Sequence, residues 1–280
     1  MNRGTVAGLI ELTRPGNSVL AGGLTFVGAF VAGGASDAPV AVATAVAATV
    51  VATAAGMAIN DYFDRDVDRI NNPERPIPRG AVSARGALAF SVVLFLSAVV
   101  LAVTLPALAI AIAGVNLMAL VAYTELFKGL PGVGNAVVAY LGGSTFLFGA
   151  AAARALGPAP VVLFLLAALS TLAREIIKDV EDAPGDRAEG LRTLPIVVGE
   201  RRALWLAAAL LVVAVAASPL PYLRGTLGPA YLALVVPADV LMLSAMGLSF
   251  SDPGRGHVRL KYGMGLAAVA FVVGRGVALV

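Results

Sequence analysis

Apolar residues along this chain run in long blocks rather than alternating with polar ones. Windows near the roughly 20 residues needed to cross ~30 Å of hydrocarbon at 1.5 Å rise per residue occur nine times. They lie at 15–34, 39–60, 86–105, 107–124, 133–153, 159–177, 203–218, 227–249 and 261–279. Nearly all are rich in Ala, Val, Leu and Gly, a composition that lets transmembrane helices approach closely where lipid supplies no hydrophobic drive for association. The pattern predicts an all-α fold, a polytopic membrane bundle of nine transmembrane helices forming one domain over residues 1–280. Gly33 to Ala38, at the end of the first block, could be taken for the end of a secretory leader. The block is longer than the 7–15 residues of a signal core, and Glu11 and Arg14 stand directly before it, so a retained first span is expected.

The polar positions between the blocks predict orientation. With the N-terminus in the cytosol, alternate connections place all of the 20 Lys and Arg inside except Arg154, Arg224 and Arg275. The positive-inside rule therefore predicts a multi-pass protein of the cell membrane, N-terminus in and C-terminus out.

Composition narrows the chemistry. At 59% hydrophobic and 13% charged, with mean hydropathy +0.89, the chain is neither a soluble domain nor a disordered one. The absence of Cys and the single His257 exclude a disulfide framework, a thiolate zinc site and any multi-histidine metal site. A metal here would be held by oxygen. The net charge of +3 says little about partners, and no nucleic-acid partner is expected.

Acidic residues concentrate in two segments. Asp61, Asp64, Asp66, Asp68 and Glu74 follow the second block; Glu175, Asp179, Glu181, Asp182, Asp186 and Glu189 lie at or just past the end of the sixth. Asp61, Asp64, Asp68 and Asp179, Asp182, Asp186 share an i, i+3, i+7 spacing, which on a helix confines three carboxylates to an arc of roughly 60°. Asp66 falls off that arc. Pro184 and Gly185 are expected to end the second helix and leave Asp186 on the loop. Such a face repels itself without a cation, and Mg²⁺ typically binds through one or two carboxylates plus substrate phosphates. Ordinary solvated loops would also be charged, but would not be expected to repeat one spacing twice beside apolar spans. Arg75, Arg79, Lys128, Lys178 and Arg192 lie close by and are candidates for binding phosphate oxygens. The positive-inside bias accounts for the others as well, though not for Lys178 at the end of a span.

Two longer strings carry a family likeness. Asn60-Asp61-Tyr62-Phe63-Asp64-Arg65-Asp66-Val67-Asp68, followed by Arg75-Pro76-Ile77-Pro78-Arg79-Gly80, resembles the first aspartate-rich motif of the UbiA-type intramembrane prenyltransferases. Lys178-Asp179-Val180-Glu181-Asp182, then Gly185-Asp186 and Arg192-Thr193-Leu194-Pro195, is similar to the second. The resemblance implies helices around a central cavity open to the bilayer and capped by two cytosolic loops. It implies that Asp61, Asp64, Asp179 and Asp182 are catalytic and bind Mg²⁺-diphosphate, with Asp68 a further metal ligand and Asn60 and Asp186 in support. Together with Ala173-Arg174-Glu175, the second motif most resembles the branch that adds the second geranylgeranyl ether to the glycerol phosphate of archaeal lipids. The expected partners are then a prenyl diphosphate and a lipid acceptor. Chlorophyll synthases share much of the first motif, so a chlorophyllide-type or aromatic acceptor stays open.

Asp239, two residues after Pro237 in the eighth block, would cost ~2.5–3.5 kcal/mol facing lipid. It is expected either to face the cavity or to satisfy backbone groups freed by the proline. Asn116 in the fourth block carries the same ambiguity between a site and an interhelical hydrogen bond. From another class, a secondary transporter would use intramembrane polar groups in inverted repeats, which would put the two acidic segments on opposite faces.

Overall fold

The computed structural model describes residues 3–123, 130–188 and 190–277, and all regular structure among them is helical. In chain order the helices are α1 (Arg3–Leu12), α2 (Pro15–Val31), α3 (Pro39–Phe63), α4 (Arg65–Asn71), α5 (Ala84–Ala102), α6 (Ala107–Ala122) and α7 (Val133–Ala152). They continue with α8 (Pro158–Ala188), α9 (Leu194–Val198), α10 (Glu200–Ala217), α11 (Leu220–Leu223), α12 (Pro229–Ser249) and α13 (Pro253–Val277). Five of the long helices open on proline, whose fixed φ suits the first turn and whose missing N–H would have no intrahelical partner there.

Every apolar block lies in a helix, with two kinds of departure from expectation. Among the described residues seven helices are long and apolar enough to span a membrane, whereas α2 and α6 are apolar but shorter. The last block begins as a helix eight residues earlier than predicted, at Pro253, because the Asp252 carboxylate accepts the Arg255 N–H at 2.9 Å and caps the turn. Apolar side chains such as Val93, Leu96 and Val100 on α5 face outward, as expected of a surface solvated by lipid.

Helices pack on their neighbours, α2 on α3, α3 on α5, α6 on α7, α7 on α8, α8 on α10 and α12 on α13, while α2 also packs on α7 and on α13. Glycine sets the closest approach. A Cβ on Gly149 of α7 would run into the Thr25 carbonyl, and one on Gly28 of α2 into the Phe146 backbone, so α2 and α7 touch backbone to backbone. The buried clusters lie between neighbouring helices, around Leu211 and Leu260 or around Phe146 and Tyr231. A cavity remains between the helices, lined by residues of α2, α3, α5, α6, α7, α8, α12 and α13.

Candidate active site

The first motif straddles a kink. α3 ends at Phe63, and Asp64 (φ −82°, ψ 0°) joins it to α4. The kink leaves the helical bonds Asp64 N–H to Asn60 C=O and Asp68 N–H to Asp64 C=O in place, both 2.8 Å. Asp61 and Asp68 therefore stay on one side, close enough for one guanidinium to reach both. Arg75 Nη1 lies 2.6 Å from Asp68 Oδ2 and 3.4 Å from Asp61 Oδ1. Asn72 donates to the other Asp68 oxygen at 3.2 Å. Asp68, 3% exposed, thus has one oxygen on Arg75 and the other on Asn72, and holds Arg75 in place.

The segment after the motif is folded rather than loose. Ile77 packs with Leu12, Ala58, Val82 and Ala87, and the Val82 N–H donates to the Pro76 carbonyl at 3.1 Å. This anchors Arg75. Arg79 points elsewhere: it donates to the Glu74 carbonyl at 2.6 Å and pairs with Glu11 at 2.8 Å.

The second motif lies on α8, which runs 31 residues and does not stop at Pro184. Proline removes one hydrogen bond to the preceding turn, yet Ala183 is fully buried there and helical geometry continues through Ala188. The terminator is Gly190, whose φ of +74° supplies the left-handed turn that lets Leu191 N–H reach the Asp186 carbonyl at 2.9 Å. Asp186 is therefore helical, contrary to expectation, and shares the face of Asp179 and Asp182. Asn135 of α7, buried, donates to Asp179 Oδ2 at 2.8 Å, and Lys178 Nζ stands 3.5 Å from Asp182. Arg192 is exposed, and Lys128 lies outside the described residues.

The two motifs share one end of the bundle. Carboxylates of both, Asp64 and Asp179, together with Glu175, lie within electrostatic reach of the Tyr123 hydroxyl. The repeat is thus parallel, not inverted. Below them opens a cavity of about 1140 Å³, larger than a typical small-molecule pocket. Its mouth includes Arg14, Asn60, Tyr123, Glu175 and Lys178, while Leu24, Phe95, Leu117 and Phe271 contribute to its apolar walls. Asn60 and Lys178 are thus the motif residues that line it directly, and the aspartates flank its polar end.

Arg14 belongs to neither motif. Its Nη2 lies 2.6 Å from Asp61 Oδ1, the shortest contact to that carboxylate, and it sits in a left-handed conformation (φ 43°) just before Pro15. An arginine immediately before a proline that opens an apolar span was the available signal, and it reads equally well as positive-inside charge. Asn135 gave no signal beyond one polar residue near a span's start.

Asp239 accepts a 2.5 Å hydrogen bond from Ser218, whose carbonyl accepts one from Tyr231 at 2.7 Å. This ties α12 to the end of α10, and all three residues line the deep cavity. Asn116 also lines it.

A model of the UbiA prenyltransferase family matches residues 21–273. The chain belongs to the UbiA prenyltransferase family. Like other members it is an enzyme that transfers prenyl groups, and it is a multi-pass membrane protein. A UbiA relative from Natronomonas pharaonis, named digeranylgeranylglyceryl phosphate synthase, is 67% identical over 270 residues, covering 96% of this chain and 97% of the relative. A solved structure described as a digeranylgeranylglyceryl phosphate synthase superposes with TM-score 0.80 at 34% identity, over 97% of this chain and 98% of that one. The UbiA homolog from Archaeoglobus fulgidus bound to GPP and Mg²⁺ shares the fold, with TM-score 0.70 at 18% identity over 98% and 100% of the two chains.

Among the described residues no three carboxylates or histidines converge into a ready-made metal cage. The donors nevertheless suit a divalent cation, since both motifs offer only oxygen ligands and they meet at one cavity mouth. Mg²⁺ needs few protein ligands when substrate phosphates complete its shell.

Proposed function

We propose that this enzyme transfers a geranylgeranyl group from geranylgeranyl diphosphate to the free hydroxyl of geranylgeranylglyceryl phosphate, forming the second ether of archaeal membrane lipids. The observation that carries the reading is two carboxylate motifs at one end of a large apolar cavity, in a chain 67% identical to a relative named for this synthesis. The N-terminus and the motif end face the cytosol.

Asp61, Asp64, Asp179 and Asp182 would hold Mg²⁺ between the motifs, Asn135 fixing the orientation of Asp179. Bound there, the metal supplies Lewis acidity that neutralises charge on the leaving diphosphate. Arg14 and Arg75 add cationic donors around the same diphosphate, with Asn60, Asp186 and Arg192 in support, and Lys178 is a further substrate-binding cation at the mouth. Asp68 positions Arg75. The allylic C–O bond breaks with its electron pair leaving on diphosphate, and the acceptor oxygen forms the new C–O bond. The hydroxyl proton is lost to diphosphate or solvent at the mouth. The apolar walls exclude the water that would otherwise capture the allylic centre.

The test uses purified protein in detergent with Mg²⁺, labelled geranylgeranyl diphosphate and geranylgeranylglyceryl phosphate. The expected products are a phosphorylated diether and diphosphate in equal amounts, and chelation should stop both. Preference for an aromatic or chlorophyllide-type acceptor would overturn the lipid assignment.

A further inference from the structure

Two lipid substrates bring two anionic headgroups, a diphosphate and a phosphomonoester, to one cavity. The cations nearest the first motif serve that side: Arg14 and Arg75 pair with Asp61 and Asp68 beside the diphosphate position, and Arg79 pairs with Glu11 and does not line the cavity. A further group of basic residues lines the cavity where α8 meets α13. Arg174 and Lys178, one turn apart on α8, both line the cavity, and so does Lys261 of α13.

The register of this seam is fixed by a neighbouring contact. His257 Nδ1 of α13 lies 3.0 Å from Glu181 Oε2 of α8, and His257 also lies within electrostatic reach of Arg174, Lys178 and Glu175. Lys261 follows His257 by four residues, so both share one helical face, and that face looks toward the cationic end of α8. The partners on α8 are already shared: Arg174 pairs with Glu175, and Lys178 pairs loosely with Asp182 at 3.5 Å. Lys261 is exposed and forms no ion pair among the described residues.

We infer that Lys261, backed by Arg174 and Lys178, seats the phosphomonoester of the glyceryl-ether acceptor. This rests on the proposed acceptor and assigns it a headgroup position on the α8–α13 side. An ammonium on a flexible stem suits a tetrahedral phosphate dianion as a point charge, and the arginine adds directed donors. The acceptor would lie with its phosphate at the α8–α13 wall and its tail in the apolar cavity, its hydroxyl turned toward the diphosphate.

Lys261→Gln and Lys261→Arg are compared with the unaltered enzyme in detergent, using geranylgeranyl diphosphate with either geranylgeranylglyceryl phosphate or its dephosphorylated form. For Lys261→Gln the KM of the phosphorylated acceptor is expected to rise about 10-fold or more, that of the diphosphate to stay within about two-fold, and Lys261→Arg to restore most of the loss. With the dephosphorylated acceptor the variant and the unaltered enzyme should match. Inorganic phosphate should compete with the acceptor only at concentrations far above the acceptor's own KM. An unchanged acceptor KM, equal losses for both substrates, or inhibition by inorganic phosphate as tight as acceptor binding would overturn the seat while the acceptor assignment stands. Failure of the unaltered enzyme to use the phosphorylated acceptor would overturn both.

Discussion

Two aspartates in corresponding positions are held in different ways. Asp61 lies between two guanidiniums, whereas Asp179 is held by the neutral amide of Asn135. A hydrogen bond to a charged group is worth ~1.5–3 kcal/mol, and each 1.4 kcal/mol is about tenfold in affinity. Asn135→Ala should therefore lower kcat/KM for the prenyl diphosphate roughly 10- to 100-fold at limiting Mg²⁺, with recovery as Mg²⁺ is raised. Asp61→Ala, Asp64→Ala, Asp179→Ala and Asp182→Ala should each abolish turnover at any Mg²⁺ concentration. Initial rates across a Mg²⁺ titration separate the two behaviours. Wild-type rates for Asn135→Ala at limiting metal would remove Asn135 from the site, and near-normal rates in any two of the aspartate variants would sink the two-motif arrangement.

At the scale of elements, hydropathy located the helices and missed what happens at their ends. A window of apolar residues fades where charge begins, but a helix does not: α8 carries Lys178 to Arg187 beyond its apolar run, and α13 begins at Pro253 in polar sequence. Pro184 and Gly185 looked like a stop, yet the left-handed turn lies at Gly190. The carboxylate spacing was legible because period 3.6 is a local property. The Arg14–Asp61 and Asn135–Asp179 contacts bridge 47 and 44 residues, and no local pattern reports such a pairing. Close helix approach was likewise invisible among many glycines. Gly149→Ala would push Cβ into the Thr25 carbonyl and Gly28→Ala into the Phe146 backbone, whereas Gly23 has open space around its Cα. Overpacking costs ~1–3 kcal/mol, and removing a helical glycine gains ~0.5–1 kcal/mol. Thermal unfolding in detergent should therefore place Gly149→Ala well below the unaltered protein and Gly23→Ala at or above it. The reverse order would mean that α2 and α7 do not cross as described.

For the whole molecule, the decisive property is that both motifs lie at one end. An inverted repeat would separate them, but Asp64 and Asp179 both lie within electrostatic reach of the Tyr123 hydroxyl. Ser83 caps α5 just after the first motif, and Ser251 precedes α13, whose first turn brings Gly254 against Glu181 of the second motif. Asp37 lies between α2 and α3, at the far end of α3 from Asp61. The chain has no native cysteine, so a single introduced thiol reports its own side without background. Ser83→Cys and Ser251→Cys should react with an impermeant maleimide from the same face of sealed vesicles, and Asp37→Cys from the other. In right-side-out vesicles the first two should be protected until the membrane is opened, because basic connections stay in the cytosol. Labelling Ser83→Cys and Ser251→Cys from opposite faces would break the shared-end arrangement. Labelling both from outside would preserve it but reverse the bundle, and would require substrates to arrive from the outer leaflet.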